Sequence, residues 1–338
     1  MPQQPPSDKL PDDLLLVLRK RPEKSYTTSE LARKLSRPPE DIIQALLRLE
    51  EWGYKIHTTR KGEMSFRSAP DLLTATEMTY GLKTKLIGQR FFAFGKVTST
   101  NEMAAQLAEA GIYNGTVVTA EEQTHGRGRL GRSWYSPPGA GIYVSIILRP
   151  KFRAELAPGI SIMTALALSE TLNEYMPGKV QVKWPNDVLI EGKKVAGILT
   201  ELSAEGPTIN QLIVGVGINV NHRAGDFPAD IRDRATSIRR ASGRNERRVL
   251  LLQRFLARFE KEYSKYEKDG LARSRTRLKA YSSLLGHDVT LVSGTDTITG
   301  HAVDIDREGR LVLRTKEGKA SIASGEVTVI SAKPKASD

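Results

Sequence analysis

The stretch AEEQTHGRGRLGRSW, residues 120–134, restricts the possible folds of this chain more than any other. Gly126, Gly128 and Gly131 satisfy the spacing G-x-G-x-x-G. A dinucleotide-binding fold needs a helix to open at those glycines, so that the pyrophosphate rests on its N-terminus. Here the chain continues SWYSPPGAG, and Pro137-Pro138 followed by Gly139 and Gly141 cannot open a helix. No Gly-Lys-Ser/Thr closes the segment, so a phosphate-binding P-loop is excluded as well. What remains is a flexible glycine loop carrying Arg127, Arg129 and Arg132. Glycines let backbone N–H groups approach a ligand, and guanidinium groups match carboxylate and phosphate. Trp134 adds a flat face on which an aromatic base can stack. By spacing alone, an exposed RNA-binding loop fits equally well.

Composition narrows the chemistry around that loop. The 338 residues are enough for two or three domains. The chain has no cysteine, which removes disulfides, thiolate metal sites and cysteine nucleophiles together. With five histidines, any catalysis leans on Lys, Arg, Asp, Asn and backbone groups. No run of about 20 apolar residues is present, and the opening MPQQPPSDKL has no basic-then-apolar signal pattern, so a cytoplasmic protein without a membrane span is expected. The formal net charge is +12, which points first to nucleic acid or an anionic substrate. That charge is regional. Residues 223–283 hold 17 basic and 8 acidic side chains, whereas residues 1–70 hold 13 and 10.

Periodicity divides the chain into an α+β protein of three parts. Residues 1–10 are expected to be a disordered, Pro/Gln-rich tail. Residues 11–68 read as a winged helix-turn-helix, with a helix around Leu14, Leu15 and Leu18 and a second one, TSELARKL, capped by Thr28 or Ser29. A third helix follows Ser36-Arg37-Pro38, and a hairpin turns at Arg60, Lys61 and Gly62. Residues 75–282 mix helices with apolar strands irregularly, which predicts a mixed sheet. A long helix over 247–268 should end at Gly270. Residues 283–332 break into short β-rich runs at Gly and Asp turns, the pattern of an SH3-like β-barrel.

Three more segments carry chemistry. VTSTNEMAA offers Ser99 or Thr100 as a helix cap, a position that also suits a polar ligand group. KWPNDVLIEGKKVAGILTEL embeds Lys183, Asn186, Asp187 and Lys194 among strand-forming residues, where burial is costly without a ligand or counter-ion. Taken singly, Asn186-Asp187 reads as a turn and Lys194 as a solvated hairpin lysine. Together, STN at 99–101, Gln123, GRGRLGR at 126–132 with Trp134, KWPND at 183–187, KKVAGIL at 193–199 and GVGINVN at 215–221 resemble the biotin protein ligase family. The similarity runs from about Val97 to Asn221 and continues more weakly through the C-terminal part.

The resemblance implies an α+β enzyme that forms biotinyl-5′-AMP from biotin and ATP with Mg²⁺, then transfers biotin to a lysine of the biotin carboxyl carrier protein of acetyl-CoA carboxylase. It implies a biotin site of Ser99, Thr100, Asn101, Gln123, Arg127, Gly128, Arg129, Lys194, Gly197 and Ile198. On the ATP and adenylate side it implies Arg127, Arg129, Arg132, Trp134, Asn186, Lys194 and Asn219. Lys194 and Arg129 would stabilise the charge that builds on the phosphoryl oxygens, and Asp187 is the nearest candidate base. No protein residue is assigned to the metal. Members with an N-terminal winged helix also repress biotin genes as homodimers in the liganded state. For that role Arg37, Arg48, Arg60, Lys61 and Arg67 are the cations that could meet operator phosphates, although Glu40, Asp41, Glu50 and Glu51 crowd the recognition helix. A lipoate-type ligase and a non-catalytic, ligand-sensing winged-helix transcription factor are the competing readings. The basic 223–283 stretch reads as a solvated helix face, or as a surface steering an acidic carrier domain to the site.

Overall fold

The computed structural model describes residues 9–331 except 294 and 295, so the expected tail at 1–8 lies outside the described residues. Contacts divide the chain into two units, residues 1–72 and 73–338.

In the first unit, α1 (Leu10–Lys20), α2 (Thr28–Leu35) and α3 (Pro39–Glu51) precede an antiparallel hairpin of β1 (Lys55–Thr58) and β2 (Met64–Ser68). Leu10 therefore already belongs to a helix rather than to the tail. Leu14, Leu15 and Leu18 of α1 are fully buried with Leu31, Ile42 and Leu49 in a core of their own. The cap of α2 is Thr27, one residue before the expected cap. Its hydroxyl accepts from the Glu30 N–H (3.2 Å), and the Glu30 carboxylate accepts from the Thr27 N–H (2.8 Å). This reciprocal pair uses the Thr-x-x-Glu spacing, which Thr28 cannot supply. Ser36 ends α2 in the left-handed region, and Pro39 opens α3 where a missing N–H costs nothing.

The second unit begins with α4 (Ala75–Thr79), β3 (Phe91–Val97), α5 (Thr100–Glu109), β4 (Val117–Gln123), β5 (Gly141–Leu148) and α6 (Pro158–Asn173). β6 (Val180–Lys183), β7 (Asp187–Ile190), β8 (Lys193–Glu205) and β9 (Thr208–Asn219) complete a seven-stranded sheet in the order β3-β4-β5-β9-β8-β7-β6. β3 and β4 run parallel and the other pairs antiparallel, so the sheet is mixed. Helices α7 (Ile238–Ser242), α8 (Arg248–Asp269) and α9 (Arg275–Tyr281) follow, and Gly270 sits at the C-cap of α8. α6 is apolar all round and almost wholly buried, as a helix enclosed on every side must be.

β10 (Asp288–Ser293), β11 (Asp296–Ile305), β12 (Leu311–Thr315), β13 (Gly318–Ile322) and β14 (Glu326–Ser331) form a five-stranded antiparallel sheet of the SH3-like type. It shares one apolar core with the larger sheet. Trp184 is fully buried at the junction and donates its indole N–H to the Gly309 carbonyl (2.8 Å).

Part of the basic stretch of the sequence is paired with acids elsewhere in this unit. Arg254 and Arg258 of α8 pair with Glu174 and Glu170 of the α6 region, and Arg277 of α9 pairs with Glu170 and Glu262. Arg275 and Lys279 pair with Asp304 of β11. Buried Arg248 donates to Glu121 of β4 (2.7 Å). These cations fasten helices to one another and to the sheets, whereas Arg223, Arg232, Arg234, Arg240, Arg247, Lys261 and Lys268 of the same stretch are exposed.

Candidate active site

The glycine–arginine segment leaves the end of β4 and returns toward β5 as a narrow hairpin. Trp134 N–H donates to the Gly126 carbonyl (2.7 Å), Gly128 N–H to the Arg132 carbonyl (2.6 Å), and Arg127 bridges to Ser133. Leu130 and Gly131 turn the tip at positive φ, and Leu130 is 71% exposed.

Beneath the hairpin lies a small cleft. The start of α5 contributes Ser99, Thr100 and Asn101 to it, β4 contributes Gln123, and the hairpin contributes Arg127, Gly128, Arg129 and Trp134. Asn186, Lys194, Gly197 and Ile198 close the far wall. Every residue expected at the biotin site is therefore brought to one cleft. Ser99 is the N-cap of α5, but its hydroxyl makes no capping bond. The floor is set by close approach. Gly215 stands opposite Ser145 in one register and Leu199 in the other, and a Cβ there would come within 2.0 Å of Asn101 Oδ1. At Gly217 a Cβ would come within 2.3 Å of the Trp134 indole nitrogen. The alternating glycines of GVGINVN thus leave space for Asn101 and Trp134.

A second, wider cleft adjoins the first and shares Gly128, Arg129, Trp134, Asn186 and Lys194 with it. Arg132 and Asn219, two of the residues expected on the ATP side, line it together with the candidate base Asp187, whereas Arg127 lines only the first cleft. Phe227, Ile231 and Arg234 supply one wall and Gly325, Glu326 and Val327 of the C-terminal module another. Sequence reasoning missed both walls. Arg132 pairs with Glu326 (2.5 Å), and Lys194 pairs its backbone with the wall segment, donating to the Arg234 carbonyl (2.8 Å) and accepting from Thr236 (2.9 Å).

The charges at the junction are arranged in pairs. Lys194 Nζ lies 2.7 Å from Asp187 Oδ1 and 5.4 Å from the centre of the Trp134 ring. Asp187 is thus the counter-ion of Lys194, and a carboxylate held by an ammonium must release it before acting as a base. Arg129 donates to Asn186 Oδ1 (3.1 Å), and burial pulls its guanidinium below the ordinary value. Asn186 is itself fixed by donating to the Ile198 carbonyl (2.9 Å), and Asn219 by donating to Thr236 (3.0 Å). The buried indole nitrogen of Trp134 has no partner among the described residues, which leaves it a donor for a ligand. Among the described residues no three His, Asp or Glu side chains cluster as a metal cage, and the acids lining the second cleft are Asp187 and Glu326. The five cations of the first unit, Arg37, Arg48, Arg60, Lys61 and Arg67, are all exposed.

Two adjoining clefts, one small with polar groups at its inner end and one wide and cationic, joined at a lysine and an arginine, define a site for coupling a small carboxylic acid to a nucleotide. The sequence signature of the biotin/lipoate A/B protein ligase family spans residues 92–219, and that of the biotin protein ligase C-terminal domain spans 284–329. The bifunctional ligase/repressor BirA of Bacillus subtilis is 36% identical over 279 residues, 82% of this chain and 86% of that protein. The biotin–[acetyl-CoA-carboxylase] ligase of Paracoccus denitrificans is 36% identical over 242 residues, 69% of this chain and 97% of that one. The structure of the Aquifex aeolicus biotin protein ligase in complex with biotin and ATP superposes with a TM-score of 0.63 at 35% identity, covering 72% of this chain and all of the other. The chain belongs to the biotin/lipoate A/B protein ligase family.

Proposed function

We propose that this chain is an ATP-dependent biotin–protein ligase, which forms biotinyl-5′-AMP and transfers the biotinyl group to a carrier lysine of acetyl-CoA carboxylase. The observation that carries the reading is the junction of the two clefts at Lys194, Arg129 and Trp134 beneath the glycine–arginine hairpin. Ser99, Thr100, Asn101 and Gln123 line the first cleft and suit the donors and acceptor of a ureido ring. A lipoyl dithiolane has no such groups, so this polar lining favours biotin over the lipoate-type alternative. Gly197 and Ile198 would flank the tail, and Arg127, Gly128 and Arg129 would fold over it. Arg132, Trp134, Asn186 and Asn219 would hold the nucleotide.

In the first step a biotin carboxylate oxygen attacks the α-phosphorus of ATP and pyrophosphate leaves. Lys194 spans the two clefts, where its ammonium can bind both the carboxylate and the α-phosphoryl oxygens, exchanging Asp187 for the substrates. Arg129 stabilises the same oxygens, and the shared site aligns the two reactants. A Mg²⁺ ion carried on the ATP phosphates neutralises part of their charge. In the second step the carrier amine attacks the acyl carbon of the mixed anhydride and AMP leaves. The hairpin keeps water from the anhydride in the interval. Lys194→Ala is expected to lower pyrophosphate release dependent on both biotin and ATP by about 10²–10³-fold, with an unchanged circular-dichroism spectrum. Release at the wild-type rate would contradict the assignment.

A second reading adds to the first. The alignment with the bifunctional ligase/repressor is longer than residues 73–338, so it extends into the N-terminal unit. Three helices and a hairpin there support a winged helix-turn-helix over 11–68, ahead of a ligase domain at 75–282 and an SH3-like domain at 283–332. We propose that this unit binds the operator of biotin genes through Arg37, Arg48, Arg60, Lys61 and Arg67, as a homodimer in the liganded state.

A further inference from the structure

Glu201 of β8 stands outside both clefts, yet it connects to residues on opposite sides of the smaller one. Its Oε2 accepts from Asn101 Nδ2 (2.6 Å) and from Arg127 Nη2 (3.2 Å), and Arg127 lies 3.1 Å from its Oε1. One carboxylate therefore ties the glycine–arginine hairpin to the first turn of α5.

The connection continues under the cleft, and counting protons gives it a direction. Asn101 Nδ2 also donates to the Leu199 carbonyl (3.3 Å), which together with Glu201 fixes which end of the amide is nitrogen. Asn101 Oδ1 therefore faces Ser145 Oγ, 2.6 Å away. Ser145 is fully buried and also lies 2.8 Å from Thr100 Oγ1. A hydroxyl has one proton and a carbonyl oxygen only accepts, so the Ser145 proton goes to Asn101. Thr100 is left with two acceptors for its own proton, Ser145 Oγ and Gln123 Oε1 (3.1 Å). Both lie in the protein, so the Thr100 hydroxyl presents lone pairs to the cleft. Gln123 Oε1 already accepts the Thr100 N–H (2.8 Å), and Gln123 Nε2 donates to Ser136 Oγ (2.9 Å), which donates to the Trp134 carbonyl (2.9 Å). The chain thus runs from one limb of the hairpin to the other beneath the ligand position.

We propose that Glu201 is a positioning residue that sets the polarity of this chain, holding Thr100 as an acceptor for a ureido N–H and Arg127 over the ring. The inference rests on the biotin reading of the cleft and extends it to specificity: the acceptor is built for a ligand that brings an N–H donor. The charged end fixes the direction. Without an acceptor at 201, Asn101 can turn over and the hydroxyls behind it lose their order.

Pyrophosphate release measured against biotin and against ATP tests the proposal on the full chain. Glu201→Ala is expected to raise the biotin KM about 10- to 100-fold, the loss of one charge-assisted hydrogen bond. The ATP KM and kcat should stay within about threefold, because the interaction removed is one of ground-state ligand binding. Glu201→Gln keeps an acceptor oxygen for Asn101 and should recover part of the loss, while Ser145→Ala should raise the biotin KM on its own. A wild-type biotin KM in Glu201→Ala, a Gln variant no better than Ala, or equal rises in both KM values would overturn the positioning role. Absence of biotin-dependent release from the wild-type chain would instead overturn the biotin reading, and this inference with it.

Discussion

Lys194 and His222 are two buried or half-buried cationic side chains with opposite solutions. Lys194 pairs with Asp187 and faces two clefts. His222 is fully buried between Phe227, stacked at 5.0 Å, and Tyr135, and neither ring nitrogen has a partner among the described residues. Burial pushes its pKa down to about 4, against the pull of Asp226 and with the help of Arg248. The folded value lies below the unfolded one, so the unfolded chain takes up the proton first as pH falls. Stability is thus lost as pH drops from about 6.5 toward about 4, by about 2 kcal/mol at pH 5. Urea unfolding at pH 7.5 and pH 5 should show this drop in the wild-type chain and a drop smaller by that amount in His222→Leu. Equal drops would refute it. Phe227 also lines the larger cleft. The residues of the site differ in how legible they are. Lys194 and the arginines of GRGRLGR were readable through the resemblance of several segments together, since taken singly Lys194 reads as a solvated hairpin lysine and the loop as an exposed basic one. Glu201 and Ser145 were not, because a single polar residue on a strand gives no periodic signal and their partners are about 40 to 100 positions away.

Among the elements, the long helix of the second unit follows its apolar periodicity closely: α8 spans Arg248–Asp269 and ends at Gly270, where the sequence places its end. The arginines of α8 and α9 are a different case. Net charge per segment is visible in a sequence, but the acids that neutralise it come from α6 and β11, far along the chain. Glu262 illustrates the result: burial alone would raise its pKa, yet hydrogen bonds from Arg277, Lys265 and Ser274 hold it at about 2. α3 poses the sharpest question for the repressor reading. Its exposed face carries Ile43, 47% exposed, and Leu47, 48% exposed, beside Glu40, Gln44 and Glu50. Such a helix brings only Arg48 of its own to a phosphate backbone, which leaves Arg37 before it and Arg60, Lys61 and Arg67 of the hairpin to supply the other contacts. A gel shift on DNA upstream of biotin genes should show a biotin- and ATP-dependent complex that weakens when Arg60 and Lys61 are changed to Ala. No shift at any biotin or ATP concentration would exclude repression by this unit.

At the scale of the molecule, the second unit combines the sheet, the hairpin and the SH3-like module around one core, and all three supply walls to the pair of clefts. That the C-terminal module completes the larger cleft through Glu326 was not legible, because nothing in the run EVTVIS distinguishes a cavity wall from any other edge strand. Several arginines of the basic stretch fasten helices through internal ion pairs, and because each pair also takes an acid, the +12 excess that pointed to nucleic acid or an anionic partner remains on the chain. The central claim is that the joined clefts make a protein-bound carboxylate into an acyl adenylate and then an amide. It is tested most directly by incubating the chain with biotin, MgATP and the biotin-accepting domain of acetyl-CoA carboxylase, with lipoate in place of biotin as a parallel reaction, and measuring the mass of the acceptor. Addition of one biotinyl group, dependent on ATP and lost in Lys194→Ala, is the predicted result; an unmodified acceptor, or a lipoyl group added in preference to biotin, would contradict it.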